Sequence, residues 1–255
     1  MIVIKSDQEI DVMRKAGEIT AITFEKLENA IMPGITTYEL DKIAEEVIRS
    51  YSAIPSFKGY KNATGGINYP ASICTSINDE VVHGIPGHRK LKEGDIISID
   101  IGVYYKGFHA DAARTFPVGT ISGNAEKLIK ITKESFFEGI KFAVKGKRIS
   151  DISGAIQDYV EKNGFSVIRD YVGHGIGREM HEAPQIPNYR TRERGARLEK
   201  GMALAIEPMV NEGNYQIRLL DNDWTVVTLD GKLSAHYENT IVITENEPVI
   251  LTKAC

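Results

Sequence analysis

The sequence predicts an α+β fold made of two similar halves, from an internal repeat and from the order of its predicted elements. The first half carries H-G-I at 83–85, L-x-x-G-x-x-x-x-I-D at 91–100 and then Asp111. The second half carries H-G-I at 174–176, L-x-x-G-x-x-x-x-I-E at 198–207 and then Glu238. Such a repeat indicates two equivalent structural units. We expect halves of roughly 1–120 and 121–255.

Each half is predicted to begin with two helices, because apolar residues recur at helical spacing behind polar capping residues. Ser6 and Glu9, for example, have the spacing of a capping box. The predicted helix starts and ends are marked, in chain order, by Ser6, Pro33-Gly34, Thr36-Thr37, Asn124, Ser150-Asp151 and Asn163-Gly164. Strands follow the helices in both halves, so the order helix, helix, strands is repeated.

Two apolar, β-branched segments around a turn at 104–107 predict a hairpin that carries two acids. With the centre of the turn between Tyr105 and Lys106, Asp100 is expected directly opposite Asp111, with Cβ atoms about 5 Å apart. Like charges in that position repel each other. A divalent cation with oxygen ligands between them would remove the repulsion, so the hairpin indicates a metal site.

Taken singly, each of these acids has an ordinary explanation as a solvated strand or turn residue. Taken together they are harder to explain in that way, because Asp100 and Glu207 both end apolar runs at equivalent positions of the repeat. We therefore expect one acidic metal site at the centre of a pseudo-symmetric domain.

Composition narrows the class of protein. The 255 residues contain no Pro/Gly/Ser-rich linker, which favours one domain over 1–255. Hydrophobic and charged contents of 42% and 26% are typical of a globular protein, and the net charge of −4 argues against a specific nucleic-acid partner. No apolar run could span a membrane and no signal peptide is evident, so we expect a cytoplasmic protein. Cys74 and Cys255 predict no disulfide framework, which suits a reducing compartment.

The order of candidate ligands resembles the five-ligand dinuclear site of the methionine aminopeptidases. These candidates are Asp100, Asp111, His174, Glu207 and Glu238. The resemblance extends over essentially the whole chain and is most specific at 76–86, 173–184 and 205–208. It implies the pita-bread fold, with pseudo-two-fold halves, a curved antiparallel sheet and outer helices. Three features resemble the type I, bacterial branch. The sequence shows no long N-terminal extension, no zinc-ribbon Cys pattern and no insertion between Glu207 and Glu238.

The resemblance also implies a role for each ligand. Asp100 would hold one divalent ion, Asp111 and Glu238 would bridge two, and His174 and Glu207 would complete the second. The metal could be Co, Mn, Fe or Zn, since such a ligand set does not select among them. A metal-bridging hydroxide would attack the first peptide bond.

Three residues are expected to assist the reaction. Glu207 would move the proton from water to the leaving amine. His181 would donate to the developing oxyanion, and His83 would contact the scissile nitrogen near a crowded rim that favours a small second residue.

The pocket for the first residue is expected to be small, apolar and suited to a thioether. The resemblance places Tyr69, Cys74, Met180, His181 and Trp224 along it. The chain departs from the family pattern at Met180, where Phe is frequent, and at His236, where Gln is frequent. Asn78 and Ser234 match a loop that binds a monovalent cation in some relatives.

Several readings stay open at this point. The resemblance implies that the substrates are the N-termini of nascent polypeptides. It also implies a monomeric protein that associates with the ribosome. Prolidases and proline-specific aminopeptidases share the five ligands but usually carry an additional N-terminal domain. Non-enzymatic relatives that bind ribosomes or RNA have lost ligands, whereas all five residues are present here. A mononuclear hydrolase in dilute metal is the remaining alternative.

Overall fold

A computed structural model describes residues 1–62 and 65–253; Cys255 lies outside them. The helices within these ranges are α1 (Asp7–Ala30), α2 (Thr37–Ser50), α3 (Gly123–Ile140) and α4 (Ile149–Lys162). The strands are β1 (Ile54–Pro55), β2 (Cys74–Ile77), β3 (Glu80–Val82), β4 (Ile96–Tyr105), β5 (Phe108–Pro117), β6 (Ser166–Val167), β7 (Gly173–Gly175), β8 (Glu182–Ile186), β9 (Ala203–Ile206), β10 (Met209–Asn211), β11 (Ile217–Leu219), β12 (Val226–Thr228), β13 (Ser234–His236), β14 (Asn239–Val242) and β15 (Val249–Ile250). Among the helices so described, none is both long and apolar enough to cross a membrane.

The first two helices begin where the sequence predicts. Ser6 accepts a hydrogen bond from the backbone N–H of Glu9, and the Glu9 carboxylate accepts one from the N–H of Ser6. Thr36 and Glu39 form the equivalent capping box at α2. These reciprocal bonds satisfy backbone donors that the first helical turn leaves free.

The helices of the second half begin earlier than expected. Ser122, not Asn124, caps α3 by accepting from the N–H of Ala125. The Asn124 side chain is engaged elsewhere, by a hydrogen bond to Glu212. At α4, Asp151 lies in the first turn and its carboxylate accepts from the N–H of Arg148. Both differences are of one or two residues and leave the order of elements as predicted.

The strands form four antiparallel sheets, two of which carry the candidate ligands. One has the order β1-β4-β2 with β5 paired to β4, and the other has the order β15-β14-β9-β7-β8. β5 and β14 meet at the centre of the molecule. The N–H of Asp111 donates to the Thr240 hydroxyl, which in turn donates to the Asp111 carbonyl, each at 2.9 Å. The N–H of Glu238 donates to the Ala113 carbonyl, also at 2.9 Å.

Equivalent hydrogen bonds confirm the repeat in the fold. In the first half the N–H of Gly34 donates to the carbonyl of Leu91 at 2.8 Å. In the second half the N–H of Gly146 donates to the carbonyl of Leu198 at 2.9 Å. Leu91 and Leu198 are the leucines that open the repeated motif, so the repeat in the sequence corresponds to a pseudo-two-fold repeat in space.

The helices lie outside the sheets, and each pair covers an apolar core. Residues of α1 and α2 pack on β4 and β5 around Leu40, Ile97 and Ile99, which are almost fully buried. Residues of α3 and α4 pack on the second half around Phe136 and Leu204. The mixed architecture with antiparallel sheets confirms the predicted α+β class.

The register of the β4–β5 hairpin differs from the prediction. Tyr105 pairs with Phe108, so the turn consists of Lys106 and Gly107, both with positive φ, 46° and 92°. Two-residue turns of this kind match the twist of the flanking strands. Asp100 therefore pairs with Ala113 and Asp111 pairs with Gly102. The expectation that the two Asp lie directly opposite each other is wrong, although the register places them on one face as diagonal neighbours.

Candidate metal centre

The five candidate ligands lie at the meeting point of the two ligand-bearing sheets. Asp100 is on β4, Asp111 on β5 and His174 on β7. Glu207 directly follows β9, and Glu238 directly precedes β14. Since β9 and β14 pair through Ile206 and Asn239, the two Glu residues flank a pair of bonded strands. The fold thus brings both halves of the repeat to one place.

The ligand atoms lie within metal-binding distance of one another. One ligand atom each from Asp111, His174 and Glu238 lies within 4.8 Å of the other two. His174 Nε2 is 3.6 Å from Glu207 Oε1. All five candidate ligands line a single cavity of about 320 Å³. The acidic site expected from the repeat is therefore present as a geometric cluster.

The donor set fits divalent cations. Asp100 Oδ1, Asp111 Oδ1 and Glu238 Oε1 are buried, and no hydrogen-bond partner for them exists among residues 1–62 and 65–253. A buried acceptor without a partner is costly, and a cation supplies the missing interaction. His174 Nδ1 lies 2.8 Å from the carbonyl oxygen of Gly175, so it carries the proton, which leaves the Nε2 lone pair for a metal.

Burial dominates the electrostatics of the four acids. Desolvation raises the pKa of Asp100, Glu207 and Glu238 well above its usual range, and neighbouring carboxylates raise it further. Desolvation also raises the pKa of Asp111 to about 7. The protein alone therefore disfavours four negative charges here, and bound cations would favour them.

Burial has the opposite effect on the imidazoles. Burial, with a smaller contribution from the nearby His181, lowers the pKa of His174 to about 3 and that of His83 to about 4. The pKa of His181 is itself lowered by burial. These rings are neutral at pH 7, which is the form that binds a metal or donates a single N–H.

His83 and His181 lie on the wall of the same cavity, as the sequence predicts. The His83 ring has edge contacts with Tyr171 and Trp224, with ring centroids 5.5 and 6.2 Å away. The His181 ring is 4.3 Å from that of His174. Both imidazoles therefore face the cavity that the ligand cluster lines.

Part of the cavity wall is apolar or aromatic. Tyr69, Cys74 and Trp224 line it as expected, with the Tyr69 and Trp224 rings edge to face at 5.1 Å. The Tyr69 hydroxyl donates to backbone carbonyls, so its ring is fixed. Met180 is buried in the same apolar cluster as Tyr69 and Cys74, but it is not among the residues that line the cavity.

Five further residues line the cavity but were not predicted from the sequence. They are Phe57, Tyr60, Asp170, Tyr171 and Val172. Tyr171 lies three positions before His174, so proximity to a ligand motif could have indicated it. Tyr60 is brought to His181 across 121 positions by the fold alone.

The structure also gives the positions of His236 and of the Asn78–Ser234 pair. His236 Nε2 is buried, 3.9 Å from Glu207 Oε2, with no hydrogen-bond partner in the described part of the chain. Asn78 and Ser234 meet through a 2.8 Å bond from the Ser234 N–H to the Asn78 carbonyl. The Asn78 side chain is already bonded to Asp95 and to the Ile96 N–H, so a cation at this loop stays a prediction.

The fold and the cluster define a candidate metal site, and comparisons with known proteins give the family. A model of metallopeptidase family M24 matches residues 11–245. A methionine aminopeptidase of Clostridium acetobutylicum is 60% identical over 99% of both chains. The methionine aminopeptidase 1 of Bacillus subtilis is 54% identical over 99% of this chain and 100% of the relative.

Comparisons with solved structures indicate the same family. A methionine aminopeptidase from Thermotoga maritima superposes with a TM-score of 0.95 at 46% identity, over 99% of this chain and 100% of that one. A prolidase from Pyrococcus horikoshii has a TM-score of 0.80 at 23% identity over 65% of its own length, which shows the shared fold alone. The chain belongs to metallopeptidase family M24 and, within it, to the methionine aminopeptidases. The resemblance seen in the sequence and the pita-bread fold that it implies are confirmed.

Proposed function

We propose that the chain removes the N-terminal methionine from proteins and peptides, using two divalent ions and preferring a small second residue. The observation that carries this proposal is the position of the ligand cluster. The cluster lines the same cavity as the aromatic rings of Tyr69 and Trp224. The similarity to methionine aminopeptidases supports the same substrate.

Five side chains would hold the ions. Asp100 would bind one ion, Asp111 and Glu238 would bridge both, and His174 and Glu207 would bind the other. When bound, Co, Mn, Fe or Zn ions polarise the substrate carbonyl and lower the pKa of water, so that a nucleophile exists at neutral pH. The buried, unpaired oxygens of Asp100, Asp111 and Glu238 support this assignment.

The remaining groups would move protons and orient the substrate. Glu207, whose pKa is raised by burial, would accept a proton from water and pass it to the leaving amine. His181, neutral and next to His174, would donate to the oxygen on which charge develops. His83 would contact the scissile nitrogen.

The apolar pocket would select methionine. An unbranched thioether is flexible enough to fill it, and sulfur–aromatic contacts with Tyr69 or Trp224 favour methionine over an aliphatic chain of similar size. Met180, buried behind Tyr69 and Cys74, would make the wall more pliable than an aromatic residue would.

The cellular setting is part of the proposal. Nascent polypeptides would be the substrates, in the cytoplasm, with the chain acting as a monomeric catalytic domain over 1–255 that associates with the ribosome. A monovalent cation at Asn78 and Ser234 would stiffen the loop between β2 and β3.

Peptide hydrolysis tests the proposal directly. Met-Ala-Ser and Ala-Pro-Ser are offered to the metal-free protein with and without added Co²⁺ or Mn²⁺. We expect metal-dependent release of methionine from the first peptide and little cleavage of the second. Preferential cleavage of the Ala-Pro peptide would instead assign a proline-specific activity. No cleavage of either with saturating metal would remove the enzymatic proposal.

A further inference from the structure

We propose that Tyr60 is a positioning residue for His181, which it holds in the tautomer that donates from Nε2. Tyr60 Oη and His181 Nδ1 are 2.6 Å apart, and the two rings stand edge to face with centroids 5.3 Å apart. Both residues line the cavity that contains the candidate ligands. The consequence for catalysis rests on the proposed function, whereas the consequence for the tautomer does not.

The direction of the hydrogen bond follows from the state of each partner. A phenol has an ordinary pKa of about 10 and an imidazole one of about 6.5, so above pH 7 the Tyr60 hydroxyl is protonated and the His181 ring is predominantly neutral. A phenol is a good donor, and a neutral imidazole that accepts at Nδ1 carries its one proton on Nε2.

The neighbouring histidine has the opposite arrangement. His174 Nδ1 donates to the carbonyl of Gly175, so its Nε2 is a free lone pair. The rings of His174 and His181 are only 4.3 Å apart, yet their partners select opposite tautomers. One ring is prepared to bind a cation and the other to donate a hydrogen bond, which is the division of roles that the reaction needs.

Backbone hydrogen bonds fix the segment that carries Tyr60, whose hydroxyl selects the His181 tautomer. The Tyr60 N–H donates to the Phe57 carbonyl at 2.8 Å, and the Tyr60 carbonyl accepts from the Tyr69 N–H at 2.9 Å. The Gly59 N–H donates to the Tyr69 carbonyl at 2.8 Å. Tyr60 is thereby fixed to the residue that walls the methionine pocket, so the pocket and His181 share one support.

Kinetics of Tyr60→Phe test the catalytic consequence, since this change removes the hydroxyl and keeps the ring. With Met-Ala-Ser we expect kcat to fall about tenfold and KM to change by less than about twofold. Tyr159→Phe is the matched control, because it removes a hydroxyl that donates to Glu134 at 2.7 Å on the outer helices. Its kcat should stay within about twofold of the parent value.

A double-mutant cycle separates positioning from general damage. In a His181→Ala background, Tyr60→Phe should lower kcat by less than about twofold, because the ring that Tyr60 orients is gone. An equal loss of kcat in both backgrounds would overturn the proposal, as would an unchanged kcat in the single variant.

Nitrogen NMR tests the tautomer without any reaction. Histidine labelled with ¹⁵N is observed in the diamagnetic Zn²⁺-loaded protein, with assignment by His181→Ala. We expect His181 to be protonated at Nε2 and bare at Nδ1, and to become a mixture of tautomers in Tyr60→Phe. A proton on Nδ1 in the parent protein, or the same tautomer in both proteins, would overturn the proposal even if methionine release fails.

Discussion

The guanidinium of Arg114 donates a hydrogen bond to the backbone carbonyl of Glu238. Arg114 also donates to Asn239 Oδ1 at 2.6 Å, and its guanidinium carbon lies 4.3 Å from the centre of the Tyr237 ring. No carboxylate forms an ion pair with it within 1–62 and 65–253. Its positive charge therefore acts on the acidic cluster, where it lowers the pKa of Glu238 against the effect of burial.

Arg114→Met should weaken metal binding. The change removes the donor that holds the Glu238 backbone and the charge that favours its carboxylate, so we expect the Kd for Mn²⁺ to rise at least about tenfold by titration calorimetry. Arg190→Met is the control, since Arg190 is exposed and pairs with Asp158 on the surface. Equal Kd values for the two variants would contradict this role.

Removing metal should lower the melting temperature. Cations bind the folded cluster far better than the unfolded chain, so saturation at about 100 Kd adds about 2.7 kcal/mol to the free energy of unfolding for each site. Melting in EDTA is compared with melting in saturating Mn²⁺, with Mg²⁺ as an ionic-strength control. An identical melting temperature in EDTA and Mn²⁺ would count against a preformed site.

The stability of the metal-free protein should also fall as pH rises above about 6.5. The folded-state pKa of Asp111 is raised to about 7, and that of Glu238 is raised well above its usual range. A carboxyl group with a raised folded-state pKa contributes its full stabilisation below its unfolded pKa and loses that contribution progressively as pH rises to its folded pKa. Histidines such as His174 have lowered folded pKa values and oppose this trend, but only below their unfolded value of 6.5.

Melting temperatures at pH 6.5 to 8.0 measure this slope. We expect a decline in EDTA and a much flatter profile with Mn²⁺, because bound cations compensate the carboxylate charges. Asp111→Asn in EDTA should reduce the decline, since one titrating group is gone. A melting temperature in EDTA that rises over this interval would show that the acids do not titrate as described.

Mutations should distinguish the metal ligands from the residues that assist the reaction. Asp111→Asn and Glu238→Gln should each lose bound metal and methionine release together, because each removes a bridge. His181→Ala should keep the metal content and lower kcat on the order of 10²-fold, as the loss of one oxyanion donor does. Metal content is read by mass spectrometry of dialysed protein. A His181→Ala protein without metal would reverse the assignment.

The sequence predicted which residues form the candidate cluster better than it predicted the geometry that joins them. Asp100 and Glu207 each follow an apolar run at equivalent positions of the repeat, and that signal is local. The hairpin register was not predictable from its acids, because the positive φ of Lys106 and Gly107 sets the turn. The contact of Tyr60 with His181 spans 121 positions and depends on how the two halves meet. Periodicity and capping residues carry no information on such a contact.

The rim of the cavity should restrict the second residue of the substrate. His83 has a left-handed backbone, with a φ of 59°, and its ring is enclosed by Tyr171 and Trp224. A long side chain beside this group would move the scissile carbonyl away from the ligand cluster, and a displacement of about 1 Å can cost about 10²-fold in rate. We therefore expect Met-Ala-Ser to be cleaved with a kcat/KM at least about 10²-fold above that of Met-Lys-Ser.

Competition between the two peptides in one reaction gives this ratio directly, because both then meet the same metal-loaded protein. Met-Gly-Ser serves as a second small substrate and should be cleaved like Met-Ala-Ser. The large residue should lower kcat as well as raise KM, because the rim displaces the reacting carbonyl. Comparable kcat/KM for the Ala and Lys peptides would show that His83 and its neighbours do not crowd the rim, and a broader aminopeptidase would then describe the chain better.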